Sequence, residues 1–247
     1  MIPLKDGETL SRLFHLNSEP WSNAEAYREA QSYEVDYKQI PRSREISLPE
    51  PEDSLLLKLL RSRTSCREYR LARLPLEVFS TILKCAYGIT RTTPIAKVGG
   101  AFFRSVPSAG GLFPLEVYVL AREIESLPDG IYHYDPRRHA AELFRQGTWF
   151  VELDDIMITA PFVREANLIF FLGAVFNRSQ KKYGPRGYRY ILLEAGHLAQ
   201  NLCLIAAEFN LGSLCMGGFY DSRLNRFMEF DGLTEAVIYS VAAGYQA

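Results

Sequence analysis

The stretch Leu115-Glu116-Val117-Tyr118-Val119-Leu120-Ala121, followed by Pro128-Asp129-Gly130-Ile131-Tyr132-His133-Tyr134-Asp135-Pro136 and then Ala141-Glu142-Leu143-Phe144, decides the fold class. Apolar and aromatic residues dominate the runs 115–121, 130–134 and 141–144, and turn-forming residues separate them. No helical crossover lies between the runs, so they read as an antiparallel meander. Downstream, 167–175 is a continuous apolar run bounded by polar residues, the pattern of a strand buried on both faces. Residues 236–243 give a last strand, and 187–209 is the longest helical pattern, apolar nearly all round, which implies burial on several faces or in a subunit interface. Upstream, Asp53 or Ser54 can cap a helix that runs through Leu55–Leu57, Leu59 and Leu60, and a second helix starts at Pro75 and stops at Gly88. The reading is α+β, a central and mainly antiparallel sheet flanked by helices. No G-x-G-x-x-G or G-x-x-x-x-G-K motif argues for a dinucleotide or a nucleotide triphosphate.

With 28 basic and 29 acidic residues among 247, the chain has neither the positive field that nucleic acid requires nor a polybasic membrane patch. No eighteen-residue uninterrupted apolar run appears, and Lys5, Asp6 and Glu8 stand where a signal peptide would have its apolar core, so the expected location is the cytosol. Cys66, Cys85, Cys203 and Cys215 form no C-x-x-C pair and read as core thiols in a reducing compartment. His15, His133 and His139 are isolated, so no metal site is expected.

Two segments carry chemistry. In Arg63-Thr64-Ser65-Cys66-Arg67, two guanidinium groups four residues apart with a hydroxyl between them can converge on one phosphate. The alternative is a solvated basic helix end, favourable to the macrodipole. In Arg104-Ser105-Val106-Pro107-Ser108-Ala109-Gly110-Gly111-Leu112-Phe113-Pro114, small residues between prolines would let backbone amides approach a flat ring closely. An ordinary turn before a strand is the alternative.

R-x-S-x-R followed about forty residues later by P-S-A-G-x-L-x-P resembles the paired FMN signatures of the nitroreductase superfamily. The similarity continues through Lys182-Tyr183-Gly184-Pro185-Arg186, Glu194-Ala195-Gly196-His197, Leu211-Gly212-Ser213 and Gly217-Gly218-Phe219. Over roughly residues 52 to 244 the chain is similar to the SagB-type branch: the azoline oxidases of ribosomal peptide biosynthesis and the related oxidase domains of peptide synthetases. The resemblance implies a nitroreductase-like FMN-binding domain over residues 52–247, and the residues before it, 1–51, read from their own pattern as an N-terminal helical extension, an arm or docking segment without a clear counterpart in minimal nitroreductases. That extension carries helical patterns at 9–16 and 23–33, then Pro41, Pro49 and Pro51. The resemblance further implies that Arg63, Ser65 and Arg67 hold the FMN phosphate and ribityl chain and that Gly217 and Gly218 run along the flavin ring. Pro107, Ser108, Ala109 and Gly110 match a loop that comes from the second subunit, which makes the expected assembly a homodimer with two interfacial FMN sites. Many nitroreductases add a basic C-terminal extension near the flavin phosphate. This sequence ends at Ala247, leaving the phosphate to Arg63 and Arg67.

The same resemblance points to Lys182 and Tyr183 as the catalytic pair. Oxidising a thiazoline or oxazoline requires a base for a carbon-bound proton while the flavin accepts a hydride, and Lys and Tyr both have reference pKa values of about 10, so one must be tuned. Without the resemblance, Lys181, Lys182 and Arg186 read as a solvated loop and Tyr183 as a packing residue. Glu194 and His197 read as a buried, mutually satisfied pair, and Arg189 as a group needing a defined partner. Three functions follow. One is an FMN oxidase acting on a peptide or carrier-bound substrate, with partners in a biosynthetic complex. The others are an NAD(P)H-dependent reductase of nitro, quinone or dehydroamino acid groups, and a non-catalytic scaffold subunit.

Overall fold

The continuous apolar run forms the middle of the molecule. In the computed structural model, which describes residues 7–20, 37–93 and 101–247, it is a strand at Leu168–Val175, hydrogen-bonded on both sides. The helices are α1 (Gly7–Asn17), α2 (Leu55–Ser62), α3 (Leu76–Tyr87), α4 (Phe150–Asp154), α5 (Phe176–Tyr183), α6 (Arg186–Glu208) and α7 (Asp221–Phe227). The strands are β1 (Ile89–Thr93), β2 (Ala101–Arg104), β3 (Leu115–Ala121), β4 (Gly130–Asp135), β5 (Ala140–Gln146), β6 (Leu168–Val175), β7 (Leu211–Met216) and β8 (Glu235–Tyr245). The main sheet has six strands in the order β5-β4-β3-β6-β8-β7, every neighbouring pair antiparallel, and β1 with β2 forms a separate hairpin. The α+β reading with an antiparallel sheet therefore holds.

Two cores follow from the alternation of side chains along β6. Leu168, Phe170 and Leu172 face a core shared with α3 and α6, whereas Ile169 and Phe171 face Leu153, Met157 and Leu224 on the other side. Phe170 and Phe171 are fully buried, and each such side chain contributes about 1.5–3 kcal/mol relative to exposure. Helix α6 presents Ile191, Ala195, Leu198 and Leu202 to the sheet, while Leu192 and Leu193 remain exposed. Its length and apolarity alone would suit a membrane span, but half of its apolar stretch is buried in the protein.

Local signals set the helix ends as expected. Ser54 caps α2, its side chain accepting from the Leu57 N–H at 3.1 Å, and α3 begins after Pro75 and stops at Gly88. Helix α1 docks on the body through His15 with the Tyr188 hydroxyl at 3.1 Å, the Gln180 amide donating to Ser11 at 3.0 Å and the Phe14 and His15 rings against Tyr188 and Phe176, and just beyond the helix Ser222 donates to Glu19. The helix expected at 23–33 lies outside the described residues.

Several expectations are corrected. Lys182 and Tyr183 close a helix, α5, and do not sit in a loop. Strand β7 and the β1–β2 hairpin add to the expected strands. Only Cys66 and Cys203 are buried, while Cys85 and Cys215 are exposed.

Candidate functional site

The residues singled out in the sequence gather into two clusters. In the first, Arg63 follows α2 as its C-terminal cap, the Arg63 N–H donating to Leu59 O at 3.0 Å. The chain then runs alongside β7: Ser65 bridges to Ser213, and the Cys66 N–H donates to Ser213 O at 2.9 Å. Strand β7 leads directly into Gly217 and Gly218. At a rise of about 3.3 Å per residue, the four steps from Ser213 to Gly217 cover about 13 Å. The Arg63–Arg67 segment thus runs beside β7, whose C-terminal end leads to the two glycines.

Two features of this cluster would suit a phosphate joined to a flat ring. Among the described residues, neither Arg63 nor Arg67 has an ion-pair partner, whereas Arg61, two residues earlier, pairs with Asp53. Two guanidinium groups without carboxylates suit an external anion. Beyond the C-terminal end of β7, a Cβ on Gly217 would come no closer than 3.8 Å to Tyr239, and one on Gly218 no closer than 3.6 Å to Ile158. The chain's own packing therefore does not demand glycine at either position, and Gly217 is exposed. The Ile158 N–H donates to Gly218 O at 2.9 Å and holds the segment in place.

In the second cluster, Ala109–Gly111 forms a 3-10 turn with Gly110 at φ +65° and Gly111 at φ +64°, the left-handed region that glycine enters without steric cost. A Cβ on Gly110 would lie 2.5 Å from Tyr183 Oη and 2.7 Å from Lys182 Nζ. The Pro107–Gly110 loop and the Lys182–Tyr183 pair therefore meet within one chain. Lys182 Nζ lies 5.2 Å from the Tyr183 ring centre, and Tyr190 packs edge-on against that ring at 5.1 Å. Lys182 is exposed and Tyr183 half-buried.

Behind the loop lies the expected buried carboxyl, Glu194, with partners that the sequence did not show. Glu194, 3% exposed on α6, accepts from the Tyr87 hydroxyl at 2.8 Å and hydrogen-bonds Ser108, whose Oγ accepts from the Phe113 N–H at 2.9 Å. Burial pushes the Glu194 carboxyl up, partly offset by the Ser108 and Tyr87 hydrogen bonds and by Arg104. The Arg104 guanidinium stacks on the Tyr87 and Phe113 rings at 4.3 and 5.0 Å, and its Nη1 and the Ser105 hydroxyl are buried with no hydrogen-bond partner. His197, expected to satisfy Glu194, is exposed, and so is Arg189. Arg104 opens the loop motif; Tyr87 left no local signal.

Within one chain the two clusters stay apart. No hydrogen bond or ion pair among the described residues joins them. Ser108 meets α6 at Glu194, whereas the Arg63 charge is felt at Cys203, nine residues further along the helix, about 13.5 Å at 1.5 Å per residue. A cavity of about 180 Å³ adjoins Gly217 and is also lined by Phe14 and His15 of α1, Tyr188 and Asp221. Burial and the nearby Glu19 push the Asp221 carboxyl up to about 6.

Comparison with known proteins adds to this geometry. The profile described as "Nitroreductase family" matches residues 60–245. The nitroreductase MJ1384 of Methanocaldococcus jannaschii is 35% identical over 185 residues, covering 75% of this chain and 89% of the relative. The microcin B17-processing protein McbC of Escherichia coli is 31% identical over 150 residues, covering 56% of this chain and 52% of McbC, so the match spans about half of that protein. The solved microcin synthetase McbBCD complex of Escherichia coli, with truncated pro-MccB17 bound, matches 98% of this chain and 93% of the compared chain, with a TM-score of 0.69 and 22% identity, a likeness of fold. A nitroreductase solved in complex with FMN from Desulfovibrio desulfuricans shares the fold at a TM-score of 0.55 and 19% identity, over 79% of this chain and 88% of that one.

Proposed function

This chain belongs to the nitroreductase family, and on that premise we propose that it is an FMN-dependent oxidoreductase that dehydrogenates an azoline or related group in a peptide or carrier-bound biosynthetic intermediate. The observation that carries this reading is the contact of Gly110 with Lys182 Nζ and Tyr183 Oη, because it sets a loop suited to a flat ring against a pair suited to moving a proton. The sequence similarity to McbC supports a peptide substrate and partners in a processing complex. The expected location is the cytosol.

Arg63, Ser65 and Arg67 would hold the FMN phosphate and ribityl chain, and Gly217 and Gly218 would border the ring. When bound, FMN supplies a two-electron acceptor. Lys182 and Tyr183 remove and hold the proton of the substrate carbon. Lys182 is exposed in the single chain, so water is excluded from the pair by the substrate or by a second copy. The separation of the two clusters along α6 supports a homodimer in which residues 107–110 of one copy face the Arg63 cluster of the other. Residues 52–247 make up the FMN-binding unit and 1–51 the docking extension.

The breadth of similarity to MJ1384 favours a second reading, an NAD(P)H-dependent reductase on the same framework. The visible spectrum of the purified protein, recorded before and after NADPH under anaerobic conditions, separates the two. An oxidase is expected to show bound flavin that NADPH leaves oxidised. Rapid bleaching would overturn the oxidase direction, and a colourless protein that takes up no FMN on titration would remove both enzymes.

Gly110→Ala tests the contact itself. Its Cβ displaces Lys182 and Tyr183, and a left-handed residue with a Cβ costs roughly 1–2 kcal/mol. The expected result is loss of most turnover with a Tm lower by only about 2–8 °C. Unchanged turnover would mean that the Lys182–Tyr183 geometry is not what the reaction uses.

A further inference from the structure

Alternate residues of β7 share a face, so Ser213 and Cys215 point the same way, on the strand that leads to Gly217. Across from Cys215 stands Cys203 of α6, buried, with 3.5 Å between the two sulfurs. Arg63 lies near both thiols, and Tyr239 of β8 hydrogen-bonds Cys215. Its hydrogen bond with Cys203, together with the Tyr239 hydroxyl and the Arg63 charge, pulls the Cys215 thiol down to about 6 against the effect of burial. The hydrogen bond with Cys215 and burial push the Cys203 thiol up. The two cysteines thus differ in kind: one exposed and inclined to thiolate, the other enclosed and protonated.

We propose that Cys215 and Cys203 form a redox pair, in which a hydroperoxide oxidises Cys215 and Cys203 resolves the product into an intramolecular disulfide. The Cys215 thiolate attacks one peroxide oxygen and the O–O bond breaks. One oxygen stays on sulfur as a sulfenic acid, and the other leaves as hydroxide and is protonated to water. The Cys203 sulfur then attacks the Cys215 sulfur, its proton leaves with the expelled hydroxide as a second water, and the S–S bond forms. Overall, two thiols and one hydrogen peroxide give one disulfide and two waters. The sulfurs must close from 3.5 Å to about 2.05 Å, a shift of the order that side-chain rotation provides. The other thiols are placed differently: Cys66 donates to Glu68 O at 3.1 Å, and Cys85 lies on α3. The pair is argued from thiols, Arg63 and Tyr239, and does not rest on the FMN reading. Only one consequence does: because Cys215 faces the track between Arg63 and Gly217, bound FMN would cover it.

The test uses the full chain, flavin-free and FMN-saturated, treated with one equivalent of hydrogen peroxide. Expected for the flavin-free protein is the loss of two of the four titratable thiols, a peptide linking Cys203 to Cys215 that is two hydrogens lighter, and full recovery with dithiothreitol. Cys203→Ser is expected to accumulate a dimedone-reactive sulfenic acid at Cys215, and Cys215→Ser to lose no thiols. Retention of all four thiols, a linkage through Cys66 or Cys85, or a cross-link between two chains would overturn the pair. FMN is expected to slow the oxidation by at least tenfold. An unchanged rate, with the disulfide still forming, would count against the FMN track and leave the thiol pair standing.

Discussion

Lys182→Ala and Tyr183→Phe are each expected to lower turnover of a confirmed azoline substrate by about 10²- to 10⁴-fold, the range attributable to a positioned acid or base. Both side chains end beside Gly110, with Lys182 exposed and Tyr183 half-buried, so neither supports the core. Removing them should leave Tm and FMN affinity close to those of the parent. Turnover is followed by the two-hydrogen mass loss of the product and affinity by flavin titration. If both variants turn over at the parental rate, the pair is not the base. If both fail to fold, the two side chains support the core after all, and the expectation of an unchanged Tm is wrong.

The second large effect concerns the anion end of the site. A hydrogen bond to a charged group is worth about 1.5–3 kcal/mol, so Arg63→Ala and Arg67→Ala should each weaken FMN binding about 10- to 150-fold, at 1.4 kcal/mol per decade. Riboflavin, which lacks the phosphate, provides the control. Its affinity is expected to change little in either variant, because loss of a phosphate contact cannot affect a ligand without one. A parental FMN affinity in the double variant would remove Arg63 and Arg67 from the site. An equal loss for riboflavin and FMN would assign them a structural role.

The fold was legible wherever pattern and burial coincide. The meander at 115–144 declares itself through turn residues, and β6 through an apolar run with no polar face. Strand β7 was not legible because Gly212 interrupts it. A Cβ there would lie 2.6 Å from Cys66 Sγ, so a close approach of another segment dictates that residue, and strand propensity does not. Helix α5 was hidden because only Phe176 and Ser179 of its eight residues are buried, too few to mark a face. The site divides in the same way. Arg63, Ser65, Arg67 and the Pro107–Gly110 loop stood out through resemblance, but the partners of Glu194 are tertiary. Tyr87 lies 107 residues away in sequence, and helical spacing to His197 pointed to the wrong neighbour.

Helix α6 touches both clusters, at Glu194 and at Cys203, and this makes it a ruler. Inserting one residue between those positions would turn everything beyond it by about 100° and advance it by about 1.5 Å. Cys203 would leave Cys215, and the Arg63 segment would lose its seat, while the Pro107–Gly110 loop stayed where it was. The length of this nine-residue interval should therefore tolerate neither insertion nor deletion, even where its exposed side chains can be exchanged freely.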